Sequence, residues 1–149
     1  MARLVQKFGG SSVKNADRIL NVARRVKSFR DEGNEMVVVV SAMGGETDRL
    51  LELAAKLNDT PSDRELDMLL ATGEQQSVAL LAMALHGMGV NAISMTGAQA
   101  GISTDGVHTK ARIMNITPNK IEDSLSAGNV VIVAGFQGTS QADDITTLG

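Results

Sequence analysis

The chain has 149 residues and carries 14 Lys+Arg against 17 Asp+Glu, a formal net charge of -3, which argues against a nucleic-acid-binding domain with its concentrated basic face. Hydrophobic residues at 43% and charged residues at 21% are ordinary for a folded domain and exclude a disordered one. The absence of cysteine excludes disulfides, cysteine-ligated zinc and cysteine nucleophiles, and with Phe8, Phe29 and Phe136 as the only aromatics the core must be built from Val, Ile, Leu, Met and Ala.

The first residues, Met1 to Lys7, lack the apolar core of a secretory signal. The longest apolar runs, around Met36–Val40 and Val78–Leu85, fall short of a bilayer span. The expectation is a cytoplasmic protein with neither a membrane nor a nucleic acid as partner.

In chain order, Leu4 to Phe8 reads as a short strand running into Gly9-Gly10-Ser11-Ser12. A helix follows, with Ile19, Leu20, Ala23, Val26 and Phe29 on one stripe and a stop at Gly33. Met36 to Val40 is an apolar run without alternation, the mark of a parallel strand covered on both faces. It ends in Ser41-Ala42-Met43-Gly44-Gly45, before a helix over about 48–57 in which Thr47 could serve as N-cap. Ser62-Asp63-Arg64-Glu65 is a capping-box pattern that opens another helix, and Val78 to Leu85, apolar nearly all round, is a buried helix. Val90 to Met95 reads as a strand, and 96–109 as a long loop or hairpin with 110–116 extended. Thr117-Pro118 is a cap-then-proline helix start with its stop at Gly128, and Val130 to Ala134 is a further buried strand ending in Gly135-Phe136-Gln137-Gly138. An apparent hairpin closes the sequence at 144–149. Strands alternating with helices at this spacing predict one α/β unit, three-layered, with a largely parallel sheet between helices.

Ligands of such sheets bind beyond the carboxyl ends of the strands, where Gly9–Ser12, Ser41–Gly45 and Gly135–Gly138 all fall. Glycines let backbone N–H groups approach phosphate oxygens, and Lys7 beside Gly9-Gly10 can add a positive charge. A tight turn with a solvated lysine is the plainer reading of Lys-x-Gly-Gly taken alone. No Gly-x4-Gly-Lys-Ser/Thr loop is present. Gly87-Met88-Gly89-Val90-Asn91-Ala92 nominally fits the dinucleotide pattern but follows a helix and opens a strand, the reverse of what that motif requires. Asp105, His108, Lys110 and Arg112 read as structural or interface residues, His86 as a partner for the end of its helix, and the eight Met residues as core filler.

Val5-Gln6-Lys7-Phe8-Gly9-Gly10-Ser11-Ser12-Val13 resembles the signature of the aspartokinases, within the amino-acid kinase superfamily. Four further blocks resemble the same family in the same order: Val39 to Thr47, Thr72 to Gln75, Thr96 to Gly101, and Val133 to Gly138 running on to Ile145-Thr146-Thr147-Leu148-Gly149. The resemblance covers the whole chain. It implies the amino-acid kinase fold and ATP-dependent phosphorylation of the L-aspartate side chain to 4-phospho-L-aspartate, the entry step to lysine, threonine and methionine. It implies Lys7 as catalytic and phosphate-binding, Phe8, Gly9 and Gly10 as the phosphate loop, and Ser41, Thr47 and Glu74 as substrate-binding. Glu74 would meet the substrate ammonium; its plainer reading is a first-turn helix carboxylate. The resemblance also implies Mg2+ carried in with ATP, no metal held by the protein, and a homo-oligomer in the full-length enzyme.

In the family, Thr-Thr-Leu-Gly is followed by an Arg-Gly-Gly-Ser-Asp block, a nucleotide-binding half and usually ACT domains. These 149 residues are therefore expected to be the amino-terminal portion of the catalytic domain. Alone they are expected to show little or no activity and to leave apolar runs such as Val130–Val133 uncovered at a sheet edge. Two alternatives stay open: a superfamily kinase for glutamate, acetylglutamate or uridylate, and a fragment without catalytic competence.

Overall fold

The computed structural model describes all of residues 1–149. Strands β1 (Arg3–Phe8), β2 (Glu35–Val40), β3 (Ala92–Met95) and β6 (Val130–Ala134) form a wholly parallel sheet in the order β1-β2-β6-β3. Helices α1 (Ala16–Asp31) and α3 (Asp63–Gly87) cover one face, and α4 (Asn119–Ser126) packs on the other. α2 (Glu46–Leu57) lies against α3. The unbroken apolar runs divide their side chains between the two faces, because successive residues of a strand point oppositely. Met36, Val38, Val40, Val130 and Ile132 enter the larger core with Val22, Val26, Leu81 and Leu85, while Val37, Val131 and Val133 meet Leu125 and Met95 in the smaller one. Each such burial contributes roughly 1.5–3 kcal/mol.

The three-layer expectation holds for this half of the molecule. A second sheet adds to it, in the order β5-β4-β7-β8, from β4 (Ile102–Thr104), β5 (Ile113–Ile116), β7 (Gln137–Thr139) and β8 (Ile145–Thr147). The segment read as a loop or hairpin over 96–109 supplies β4, which pairs with the extended segment as β5; the closing hairpin read at 144–149 is β8 paired back onto β7, and a short parallel contact between Ser103 and Thr139 joins the two pairs into one sheet. Val130–Val133 is not uncovered. β6 lies between β2 and β3, so all five of its residues are buried. The exposed edges are β1, where Val5 is 67% exposed, and β5, where Met114 is 69% exposed.

Local signals set most helix ends. Asn15 caps α1 by accepting from the Arg18 N–H, and Ser62 caps α3 by accepting from the Glu65 N–H. Thr47 is not a cap. α2 begins at Glu46 behind Gly45, which stands at φ 85, a left-handed conformation that glycine adopts without steric cost. Pro118 itself takes the N-cap position of α4, with no side-chain bond.

The two helical segments expected within 62–87 are one helix of 25 residues. That length, and the apolar character of its second half, would suit a bilayer, against the expectation that nothing in the chain reaches such a span. Here Val78, Leu81 and Leu85 bury that face against the sheet. His86, in its last turn, donates from Nε2 to the Ala92 carbonyl at 2.8 Å and so ties α3 to β3. Met36 and Met95 are core residues, whereas Met83 and Met114 are mostly exposed.

Gly73, in the middle of α3, is explained by close approach. A Cβ there would lie 2.9 Å from the Ala42 Cβ, so the helix touches the Ser41–Gly45 loop through a bare backbone. In an open helix Gly73→Ala would gain about 1 kcal/mol; here overpacking of roughly 1–3 kcal/mol outweighs it. The expected result is a lower thermal midpoint, partly recovered when Ala42→Gly is added. A Gly73→Ala protein as stable as its parent would show that the helix can draw away from the loop at no cost.

Candidate active site

The parallel register aligns Lys7 with Val39 and Phe8 with Val40, so the loops after β1 and β2 leave the sheet side by side. The Ser41 N–H donates to the Phe8 carbonyl at 3.1 Å, and the Gly44 N–H to the Gly10 carbonyl at 3.0 Å. The Gly135 N–H, after β6, donates to the Val40 carbonyl at 2.9 Å. Three small-residue loops thus meet at the carboxyl end of the sheet. The Gly10 segment turns as a single 3-10 turn over Gly10–Val13 before α1 starts.

A cavity of about 440 Å³ opens beside them. Of the residues singled out from the sequence, Gly10, Ser41, Thr47 and Glu74 line it together, from the first loop, the second loop, α2 and α3. Lys7 reaches it through a neighbour: its Nζ stands 4.6 Å from the centre of the Phe136 ring, which forms part of the wall. That distance is a cation–π contact, and Lys7 has no carboxylate partner competing for its charge. Phe8 and Gly9 do not line the cavity. Strand alternation turns the Phe8 ring to the opposite face, against the helical core, leaving its backbone as the part that belongs to the loop.

Glu74 carries the strongest electrostatic signature. It sits mid-helix, not in a first turn, so complementing the helix dipole does not explain it. Its Oε2 is buried with no hydrogen-bond partner, and burial pushes the carboxyl up to about 7. A buried carboxylate oxygen without a donor is costly, and the cavity is where a donor can come from. Asp48 also lines the cavity, and Glu46 beside it is already paired with Arg49 at 2.7 Å, a contact that holds its carboxyl below the usual range.

Three features are not assigned a role by the sequence. Phe136 reads there as an aromatic within the Gly135–Gly138 loop; its signal is position, directly after Gly135 at the end of β6, in a left-handed conformation at φ 60. Thr147 and Leu148 also line the cavity, brought there by β8. Asp67, fully buried and not singled out by the sequence, accepts from His108 Nδ1, the Thr109 N–H and the Thr147 hydroxyl. His108 is structural, as expected. So is Asp105, which accepts from the Val107 and Arg112 N–H groups.

The profile of the amino acid kinase family matches residues 2–149. The chain belongs to the amino acid kinase family. Among curated members it is 56% identical over its whole length to an aspartate kinase of Stutzerimonas stutzeri, covering 36% of that protein. It is also 56% identical to an aspartokinase of Geobacillus stearothermophilus, covering 37%. The chain thus spans about a third of the length of these amino acid kinases. Among solved structures it superposes over its full length on aspartate kinase from Synechocystis with a TM-score of 0.82 and 45% identity, covering 24% of that chain. Over 97% of its length it matches Escherichia coli aspartokinase III, solved in complex with aspartate and ADP, with a TM-score of 0.80, 23% identity and 43% of that chain covered. That second likeness concerns the fold.

Proposed function

We propose that these residues form the amino-terminal, amino-acid- and phosphate-binding portion of an aspartate kinase, which transfers the γ-phosphoryl group of ATP to the side-chain carboxylate of L-aspartate. The observation that carries the reading is Glu74, whose Oε2 is buried without a partner, in the wall of a cavity shared with Gly10, Ser41 and Thr47. An α-ammonium supplies the missing donor and a compensating charge. N-acetylglutamate and uridylate have no such ammonium and would leave Glu74 uncompensated. Kinship to two aspartate kinases at 56% identity supports the same acceptor.

The chemistry suits the residues. A carboxylate oxygen of aspartate attacks the γ-phosphorus, a new O–P bond forms, the bond to the bridging oxygen breaks and ADP departs. The nucleophile is already ionised at neutral pH, so no general base is needed. What the protein must do is hold two anions in line and neutralise the equatorial oxygens. Lys7 supplies a positive charge there, and the N–H groups of the Phe8-Gly9-Gly10 loop supply oriented dipoles. The amino-terminal end of α2, where Gly45 and Thr47 line the cavity, adds a favourable field for an anion. Ser41 and Thr47 offer hydroxyls to the substrate carboxylates, and Glu74 holds the ammonium.

No group of three His, Asp or Glu side chains that could hold a metal occurs in the chain. In this reading Mg2+ arrives on the nucleotide phosphates, its usual mode of binding. A cytoplasmic homo-oligomer goes with the same proposal. The activity is proposed for a full-length protein, since these 149 residues span about a third of the length of the kinases they match.

The test is acyl-phosphate trapping as the hydroxamate, with Mg-ATP and separately aspartate, glutamate and N-acetylglutamate, alongside ADP release with uridylate. Turnover confined to aspartate is expected. Preference for N-acetylglutamate or uridylate would overturn the assignment, and absence of turnover with every acceptor would favour a non-catalytic role.

A further inference from the structure

Asp67 is the only fully buried carboxylate in the chain, and no lysine or arginine approaches it. Its two oxygens are satisfied by three donors from two distant segments. Oδ2 accepts from His108 Nδ1 at 2.7 Å, Oδ1 accepts from the Thr147 hydroxyl at 2.6 Å, and the Thr109 N–H lies 3.1–3.2 Å from both oxygens. A buried carboxyl group held only by oriented donors is stable when all of them are present and costly when one is lost. Asp67 therefore dictates where its donors sit.

Those donors bound the candidate site. Thr147 and Leu148 line the cavity that holds Glu74, and Asp67 lies seven residues before Glu74, two turns along the same face of α3. The clamped segment is also tied by its backbone. The Ala111 N–H donates to the Thr147 carbonyl at 3.0 Å and the Leu148 N–H to the Phe136 carbonyl at 2.9 Å, linking it to the residue whose ring carries Lys7. The hydroxyls of Thr104 and Thr146 pair behind it. One helix thus carries both the acid that faces the cavity and the acid that sets the opposite wall.

We propose that Asp67 is a positioning residue for the acceptor amino acid: through Thr147 and the His108–Thr109 loop it fixes the Thr147–Leu148 wall at the distance from Glu74 that the substrate requires. The inference rests on the aspartate kinase reading for its substrate but not for its structural half. Asp67 touches neither substrate nor nucleotide, so its loss acts on amino-acid binding through the wall.

The experiment uses the full-length protein with Asp67→Asn, Thr147→Val, Thr147→Ser and the double variant of Asp67→Asn with Thr147→Val. Thr147→Val is expected to raise the aspartate KM tenfold or more while the ATP KM stays within twofold, and Thr147→Ser to restore it. Asp67→Asn should show the same split, and the double variant should cost no more than the worse single one, since both break one connection. Additive effects, or equal changes in both KM values, would overturn the proposal. An activity-independent arm measures amide hydrogen exchange. In Asp67→Asn the amides of Thr109 and of 147–149 should exchange at least tenfold faster, with the α3 amides beyond Glu74 unchanged. Unchanged exchange at those positions would overturn the clamp even if another acceptor proves to be the substrate. Absence of aspartate turnover in the wild type, with the exchange result as expected, would instead refute the acceptor assignment.

Discussion

Replacing Lys7 by alanine in the full-length protein is expected to lower kcat about a hundredfold or more while leaving the fold and the aspartate KM nearly unchanged. Lys7 sits on the exposed face of the edge strand β1 and takes part in no ion pair, so truncation removes little packing. Its ammonium stands over the Phe136 ring beside the paired Gly10 and Gly44 backbones, where a transferring phosphoryl group would gather negative charge. Removing one donor aimed at developing charge costs about a hundred- to a thousandfold in rate. Lys7→Arg should recover little, because a planar guanidinium does not reproduce a compact ammonium. Steady-state kinetics with melting curves decide the matter: a kcat within threefold of the parent would remove Lys7 from the transfer step.

Glu74→Gln is expected to act on the other partner of the reaction. Losing a charge-assisted contact to an ammonium is worth roughly 1.5–3 kcal/mol, which is on the order of ten- to a hundredfold in the aspartate KM, with the ATP KM little changed. The pH dependence is equally diagnostic. Burial holds the Glu74 carboxyl at about 7 in the empty site, above its ordinary 4.5. Below pH 7 it is protonated and cannot meet a cation, so the parent's aspartate KM should rise as pH falls through 7, up to tenfold per unit, and be flat above it. Stability runs the other way. With the folded value raised, the contribution of Glu74 is fully present below about 4.5 and is lost as pH rises through about 7. In Glu74→Gln both slopes should vanish. An unchanged aspartate KM with a raised ATP KM would move Glu74 to the nucleotide.

The loops that carry these residues were legible in advance because their signals are local. Lys7-Phe8-Gly9-Gly10 and Ser41 to Gly45 each follow an unbroken apolar strand, and parallel strands deliver their carboxyl ends to one side. Glu74 was found by resemblance and not by pattern: nothing in Thr72-Gly73-Glu74-Gln75 distinguishes a helix interior from a first turn. Gly73 reads as a weak point in a helix, whereas its missing side chain is what lets α3 reach Ala42. Asp67 escaped for the opposite reason. Among Asp63, Arg64 and Glu65 it looks like one more solvated acid, and its three donors lie 41 to 80 residues away.

By itself the sequence determined the order of strands and helices, the Ser62 cap, the glycine stops at Gly33 and Gly128, and the two-faced burial of β2 and β6. Periodicity and caps act between residues a few positions apart, and such interactions do not depend on the rest of the fold. Only the tertiary structure decided that 102–116 and 137–147 would join as one sheet, that β6 would lie between β2 and β3, and that Phe136 and Thr147 would wall the cavity of Glu74. Those outcomes depend on contacts between segments far apart in the chain, formed only where burial and hydrogen bonding outweigh the entropy of closing long loops. A composition in which acids, glycines and threonines recur throughout does not reveal which of them will meet.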